Sequence, residues 1–193
     1  TQLERHGTGH ALIQAMPKLR GMDSVLVLYG DIPLIRAETL RQLIATAANA
    51  PLGILTATLA DPSGYGRLVR GHDGRVRGIV EAKDASEAEL AINEINTGFL
   101  VADRSSLDKW LSRLNNHNTQ GEYYLTDVVA LAAADSQTIV TRQADREEEI
   151  LGVNDQPIGR LFEDSMGRAL LRRFLLGSFL PQNYDLTIGA DRV

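Results

Sequence analysis

Five short stretches hold residue types at spacings that could do chemistry. In VLVLYGDIPLI (Val25–Ile35) a carboxylate, Asp31, follows an apolar run that reads as a buried strand. In open α/β sheets ligands bind beyond the carboxyl ends of the strands. Gly30 would let a ligand approach the backbone there. The Asp31 carboxylate could then hold a hard divalent cation that neutralises phosphate charge during substitution at phosphorus. The same residues, Gly-Asp-Ile-Pro, equally suit a turn capped by Asp31.

GTGHA (Gly7–Ala11) opens a helical pattern, so its backbone amides could face an anion or a base carbonyl, or could simply form a Thr/Gly cap. A lone histidine such as His10 near a helix start reads as structural or solvated. In EINTGFLV the polar pair Asn96 and Thr97 interrupts an apolar strand, either to bond a neighbouring loop or to face a sugar hydroxyl. QGEYYLTD places Glu122 in the first turn of an expected helix, where the helix dipole favours a negative charge without any ligand. In ILGVNDQ, Asn154 follows a short apolar segment and suits a turn or cap before the next helix.

The elements that must position these residues alternate along the chain. Helical spacing covers Gly9–Leu19, and a short buried strand covers Ser24–Leu28. An amphipathic helix spans Ala37–Ala47, and a strand rich in β-formers spans Leu52–Leu59. After the turn cluster DPSGYG, the arms Arg67–Arg70 and Arg75–Glu81 flank an Asp-Gly turn and read as a hairpin. Ala85–Ile92 is helical in composition, Ile95–Asp103 is a strand, and Ser105–Leu114 is a helix with a serine cap. Tyr123–Ala134 reads as helix, Gln137–Thr141 as strand and Gln156–Leu176 as a long arginine-bearing helix, while residues 177–193 have no clear period. Strands alternating with helices around a hairpin predict an α/β fold with a parallel or mixed sheet.

Composition narrows the chemistry. With 193 residues and 44% hydrophobic residues, the chain can bury the core of one domain with a short appendage. A net charge of −5 argues against a dedicated nucleic-acid binder, yet local amides, basic groups or a metal could still bind a phosphorylated substrate. The absence of cysteine excludes disulfides, thiolate metal sites and a cysteine nucleophile. No apolar run approaches the roughly 18–20 residues of a membrane span, and residues 1–11 hold no signal-peptide core, so a soluble, cytoplasmic protein is expected. The start at Thr1, already close to motif-like sequence, points to a fragment.

Taken in order, GTGHA, LYGDIPLI, DPSGYGR, GIVEAKDA, EINTGFLVA, NTQGEYYLTDVV and GVND resemble a known bacterial family. It is the bifunctional N-acetylglucosamine-1-phosphate uridyltransferase/glucosamine-1-phosphate acetyltransferase. The resemblance runs from Gln2 to Asn154 and lies wholly in the uridyltransferase half. It implies a Rossmann-like nucleotidyltransferase fold of GT-A type with a mixed sheet. By the same resemblance residues 1–155 would form a partial uridyltransferase domain, 156–176 a linker helix, and 177–193 a tail approaching a β-helix domain.

The resemblance implies site residues as well. Gln2, Gly7 and Thr8 would contact the uracil of UTP, and Tyr29 and Gly30 would line the nucleotide site. Asp31 and Asn154 would hold Mg2+ and act in catalysis through it. Gly66, Glu81, Asn96 and Thr97 would grip the N-acetylglucosamine moiety, with Glu122 and Tyr124 in the sugar-side wall. The implied reaction joins UTP and N-acetylglucosamine-1-phosphate into UDP-N-acetylglucosamine and pyrophosphate, for cell-wall and lipopolysaccharide synthesis. Positioning and charge neutralisation would supply most of the catalysis, with no covalent enzyme intermediate.

Some features depart from the family pattern. Its first strand and basic glycine-rich loop, which cradle the triphosphate, have no counterpart ahead of Thr1, so this chain alone is expected to have little or no uridyltransferase activity. Arg5 stands where the family usually has a glutamine. No hexapeptide repeats follow Leu176, so acetyl transfer is not expected of this chain; the family is trimeric through its β-helix, and the sequence assigns this chain no oligomeric state. Another sugar-1-phosphate nucleotidyltransferase and a non-catalytic truncated remnant are the competing readings. EINTGFLV and QGEYYLTD favour the N-acetylglucosamine enzyme over its relatives.

Overall fold

The computed structural model describes residues 6–152 and 187–189. Its elements in chain order are α1 (Thr8–Ala15), β1 (Ser24–Tyr29), α2 (Ala37–Thr46), β2 (Leu52–Thr58), β3 (Arg67–Arg70) and β4 (Val76–Val80). Then come α3 (Glu87–Leu90), β5 (Glu94–Asp103), α4 (Arg104–Leu111), α5 (Asp127–Ala134), β6 (Ile139–Gln143) and β7 (Thr187–Gly189). Short 3-10 turns follow α1 at Met16–Leu19 and β6 at Glu147–Ile150.

The strands join in one mixed sheet organised around β5. This strand runs antiparallel to β1, β2 and β3, while β6 lies parallel to β2 and β7 parallel to β1. The Arg67–Arg70 arm pairs antiparallel with β4, which makes the expected hairpin. Because β5 runs against β1, its N-terminal residues lie at the carboxyl end of β1. The register Val27↔Leu100 continues to bring Tyr29 opposite Gly98.

Alternating side chains divide the core between the two faces of the sheet. On β1, Val25 packs with Leu12 of α1, with Leu107, Trp110 and Leu111 of α4, and with Val128, Val129 and Ala132 of α5. Leu26 and Leu28 pack instead with Leu40, Leu43 and Ala47 around α2. Strand β2 is buried along Leu52–Ala57, consistent with helices covering both faces. Each fully buried leucine, such as Leu43 or Leu52, contributes about 1.5–3 kcal/mol relative to exposure.

The structure corrects several local expectations. Asp103, not a serine, caps α4: its Oδ1 accepts from the Ser106 amide at 2.7 Å. A carboxylate two residues before Ser105 reaches the first-turn amide and meets the helix dipole favourably. α5 begins at Asp127 rather than Tyr123, so Glu122 lies in a loop and takes no part in that helix's dipole. α3 is confined to Glu87–Leu90 by a capping box in which Ser86 and Glu89 bond each other's backbone amides. Residues 187–189, within a tail without periodicity, pair with Val27–Tyr29 as β7. Gln2, Arg5, Asn154 and the expected helix over 156–176 lie outside the described residues.

Candidate active site

The loop motifs meet along one rim of the sheet. α1 starts at Gly7, whose φ of 95° carries the chain past the 121–125 segment; a Cβ there would stand 2.8 Å from the Tyr123 carbonyl. The Gly9 amide donates to that carbonyl at 2.8 Å, and the Tyr123 amide donates to the His6 carbonyl at 2.8 Å. Thr8 does not cap its own helix. Its Oγ1 accepts the Leu125 amide at 3.1 Å, which fixes the GTGHA turn against the GEYYLTD loop. His10 packs edge-on to His6, with ring centres 5.0 Å apart, so it is a packing residue beside this junction.

From that junction the rim continues to the hairpin. Thr126 Oγ1 donates to Glu81 Oε1 at 2.8 Å. The other oxygen, Oε2, faces Gly66, where a Cβ would approach to 3.2 Å. Glycine at 66 therefore keeps the space before this carboxylate open. The Gly66 carbonyl accepts the Asn96 amide at 2.9 Å, which carries the rim on to β5.

A bulge shapes the next part. Pairing of β5 with β2 shifts from Ile54↔Leu100 to Thr56↔Asn96, so Thr97, Gly98 and Phe99 oppose Leu55 alone. Thr97, 4% exposed, holds the bulge by donating to the Leu55 carbonyl at 2.8 Å and accepting the Phe99 amide at 3.3 Å. Its hydroxyl thus has a structural role inside the strand. Asn96 Oδ1 accepts the Gly98 amide at 3.1 Å, which orients the side-chain amide. Gly98 has φ 88° and carries the Tyr29 ring against its Cα, where a Cβ would lie 2.6 Å from Tyr29 Cδ2. Tyr29 leads into the turn at Gly30 and Asp31, closed by the Ile32 amide reaching the Tyr29 carbonyl at 3.4 Å.

The sugar-side candidates sit in a concentrated negative field. Glu81, Asp84 and Glu122 act on Tyr124, whose hydroxyl is pushed up to about 12 by burial first and by Asp84 next. Burial, then Glu81 and Asp84, raise Asp127 above the usual carboxylate range. Asp84 is held below that range by hydrogen bonds from the Thr119 hydroxyl and amide. Such a wall accepts hydrogen bonds from hydroxyls and repels phosphate.

Contacts thus run from Gly7 and Thr8 through Leu125, Thr126 and Glu81 to Gly66, Asn96, Gly98 and Tyr29, with Glu122 and Tyr124 in the segment bound to Gly7 and Thr8, and Gly30 and Asp31 following Tyr29 in the chain. Residues 1–172 match the model of the MobA-like NTP transferase domain. The chain belongs to that family. Within this NTP transferase family, the bifunctional protein GlmU of Pseudomonas putida (strain GB-1) is 54% identical over 195 residues, covering 96% of this chain and 42% of its own length. GlmU of Idiomarina loihiensis is 50% identical over 155 residues, 80% of this chain and 34% of its own. These relatives bear out the resemblance read from the seven motifs, and the chain spans less than half of their length. A solved structure described as UDP-glucose pyrophosphorylase complexed with UDP-glucose superposes with a TM-score of 0.61, covering 84% of this chain and 64% of its own. At 16% identity that likeness shows the shared NTP transferase fold, which the family resemblance implies, while the strand and helix pattern predicts only an α/β fold with a parallel or mixed sheet. Among the described residues no helix is long and apolar enough to cross a membrane.

Sequence reasoning missed two residues that organise this rim. Asp84 and Thr126 each bond a segment more than 30 residues away. Their only signal was membership in GIVEAKDA and NTQGEYYLTDVV.

Proposed function

We propose that the chain carries the base-facing and sugar-facing walls of a cytoplasmic uridylyltransferase. An oxygen of N-acetylglucosamine-1-phosphate attacks the α-phosphorus of UTP. The bond from that phosphorus to the bridging oxygen of the β-phosphate breaks, and pyrophosphate leaves as UDP-N-acetylglucosamine forms. The observation that carries this reading is the run of contacts from Thr8 through Thr126, Glu81, Gly66 and Asn96 to Tyr29, which brings the GTGHA turn, the acidic wall and the turn after β1 along one rim. Residues 1–155 would form this unit, with 156–176 as a linker helix.

In this reading Gly7, Thr8 and Gln2 meet the uracil, while Glu81 Oε2, Asn96, Glu122 and Tyr124 receive the sugar hydroxyls and acetamido group. No cluster of three or more histidine or acidic side chains suited to a metal occurs among the described residues. Asp31 offers one carboxylate just past the carboxyl end of β1. That donor set fits Mg2+, which keeps most of its waters and binds through one or two protein oxygens plus phosphates. Asp31 would hold it, with Asn154 as the proposed second ligand. The ion would supply charge neutralisation at the phosphates.

The test is equilibrium binding of UDP-N-acetylglucosamine, UDP-glucose and UDP-galactosamine derivatives to the chain by calorimetry, with pyrophosphate release from UTP measured in parallel. Selective binding of UDP-N-acetylglucosamine is expected. Preference for another sugar nucleotide would overturn the substrate assignment, and binding of none would overturn the site.

A further inference from the structure

Residues 112–126 connect α4 to α5 without a strand or helix of their own and carry both Glu122 and Tyr124. The loop is rooted on α1 by backbone bonds at Tyr123 and by the Leu125 amide bond to Thr8. Internally, Asn118 folds its tip: Oδ1 accepts the Gln120 and Glu122 amides at 3.2 and 3.1 Å, and Nδ2 donates to the Glu122 carbonyl at 2.5 Å. Outside the loop, one carboxylate receives it. Asp84 Oδ1 accepts the Thr119 amide at 3.0 Å and its hydroxyl at 2.5 Å, and the nearby Asp84 carboxylate helps push up the Tyr124 hydroxyl. The adjacent Lys83 Nζ donates to Gln120 Oε1 at 2.8 Å.

We propose that Asp84 is a positioning residue for the sugar end of the site: it clasps the 117–124 loop onto the loop that follows β4 and so sets where Glu122 and Tyr124 stand. The amide and the hydroxyl of Thr119 converge on it. An ionised carboxylate accepts without donating, so it satisfies both at once. The turn that presents it is closed by the Asp84 amide bonding the Glu81 carbonyl at 2.9 Å. The clasp and the Glu81 wall are therefore built on the same four residues. The root of the loop on α1 rests on backbone bonds that do not involve Asp84. Its loss therefore acts on the sugar side and leaves the base-facing GTGHA turn in place.

This inference rests on the substrate reading proposed above, and its test separates the two. Asp84→Ala, Asp84→Asn and Thr119→Val are made in the whole chain. Binding of UDP-N-acetylglucosamine and of UTP is measured by calorimetry, and exchange of the Thr119 amide by NMR. Asp84→Ala is expected to weaken UDP-N-acetylglucosamine about tenfold, the scale of one lost charged hydrogen bond, with UTP affinity unchanged and Thr119 exchange faster. Asp84→Asn and Thr119→Val should act in the same direction and less, and the pair Asp84→Ala with Thr119→Val should be non-additive. Equal weakening of both ligands, or faster exchange without loss of sugar-nucleotide affinity, would overturn the positioning role and leave the substrate reading standing. A wild-type chain that binds neither ligand would overturn both.

Discussion

Glu149 supplies the N-terminal hydrogen bonds of a helix that begins more than 100 residues earlier: its Oε2 accepts from the Thr39 hydroxyl and from the Arg36 amide at 3.4 Å. Arg36 occupies the cap position of α2 and has no capping side chain of its own. Glu149 is 3% exposed, and its Oε1 lies 3.8 Å from the half-exposed Arg36 guanidinium. The pair ties the chain just before Gly152 to the helix that follows the Asp31 turn. Glu149→Ala removes a distant cap and a buried ion-pair partner together, so it should cost about 2–4 kcal/mol in urea unfolding. Thr39→Val should cost less. A Glu149→Ala protein with an unchanged midpoint would show that the contact contributes nothing.

Asp31 lies in a partly exposed turn, so Asp31→Ala should leave stability within about 0.5 kcal/mol of the parent. Titration of UTP with and without Mg2+ should then reveal the loss. The parent is expected to bind more tightly with Mg2+, and the variant to show no such gain. Persistence of the gain would remove Asp31 from the metal assignment.

Gly98 holds a left-handed conformation beneath the Tyr29 ring. Gly98→Ala adds about 1–2 kcal/mol of backbone strain, and the new Cβ would displace the ring. Lower stability with an altered tyrosine signal in near-ultraviolet circular dichroism is the expected result. A protein with parental stability and spectrum would show that the bulge adapts.

At Gly66 the added methyl meets Glu81 Oε2 and Ile79 Cγ2, at 3.2 and 3.1 Å, and not backbone. Gly66→Ala should therefore lower UDP-N-acetylglucosamine affinity by about tenfold or more while the melting temperature falls by only a few degrees. Parental affinity would move the sugar away from Glu81.

The raised Asp127 carboxyl makes a pH prediction with a definite sign. Its folded pKa lies above the unfolded value of about 3.9, so the folded state holds the proton more tightly and ionisation works against folding as pH rises through that range. Asp127→Asn should raise stability at pH 7 and have little effect at pH 3, where both states are protonated. Denaturation series at the two pH values check this, and an equal effect at both would remove the electrostatic cause.

Much of the architecture is legible because it is written in local patterns. VLVLY and LGILTAT are apolar runs bounded by turn residues and became β1 and β2; Asp73-Gly74 marked the hairpin, and Gly74 takes φ 75° there. The rim was legible motif by motif, through Thr8, Asp31, Glu81 and Glu122, though not in its connections. The bonds Glu149–Thr39, Asp84–Thr119 and Thr126–Glu81 span 110, 35 and 45 residues, and no local period encodes them. The start of α5 was misplaced for a related reason. YYLTD has helical composition, but His6, Gly9 and Thr8 bind Tyr123 and Leu125 and draw that segment out of the helix.

The central place of β5 also sets an order of events during synthesis. β1 and β2 emerge before β5, and among the described residues no strand pairing joins them directly; both wait for a strand that ends at Asp103. Until then two apolar strands have open edges that can pair with other chains. Chaperone contact with the nascent chain should therefore be strongest while residues 52–103 leave the ribosome and should drop once β5 inserts between its neighbours.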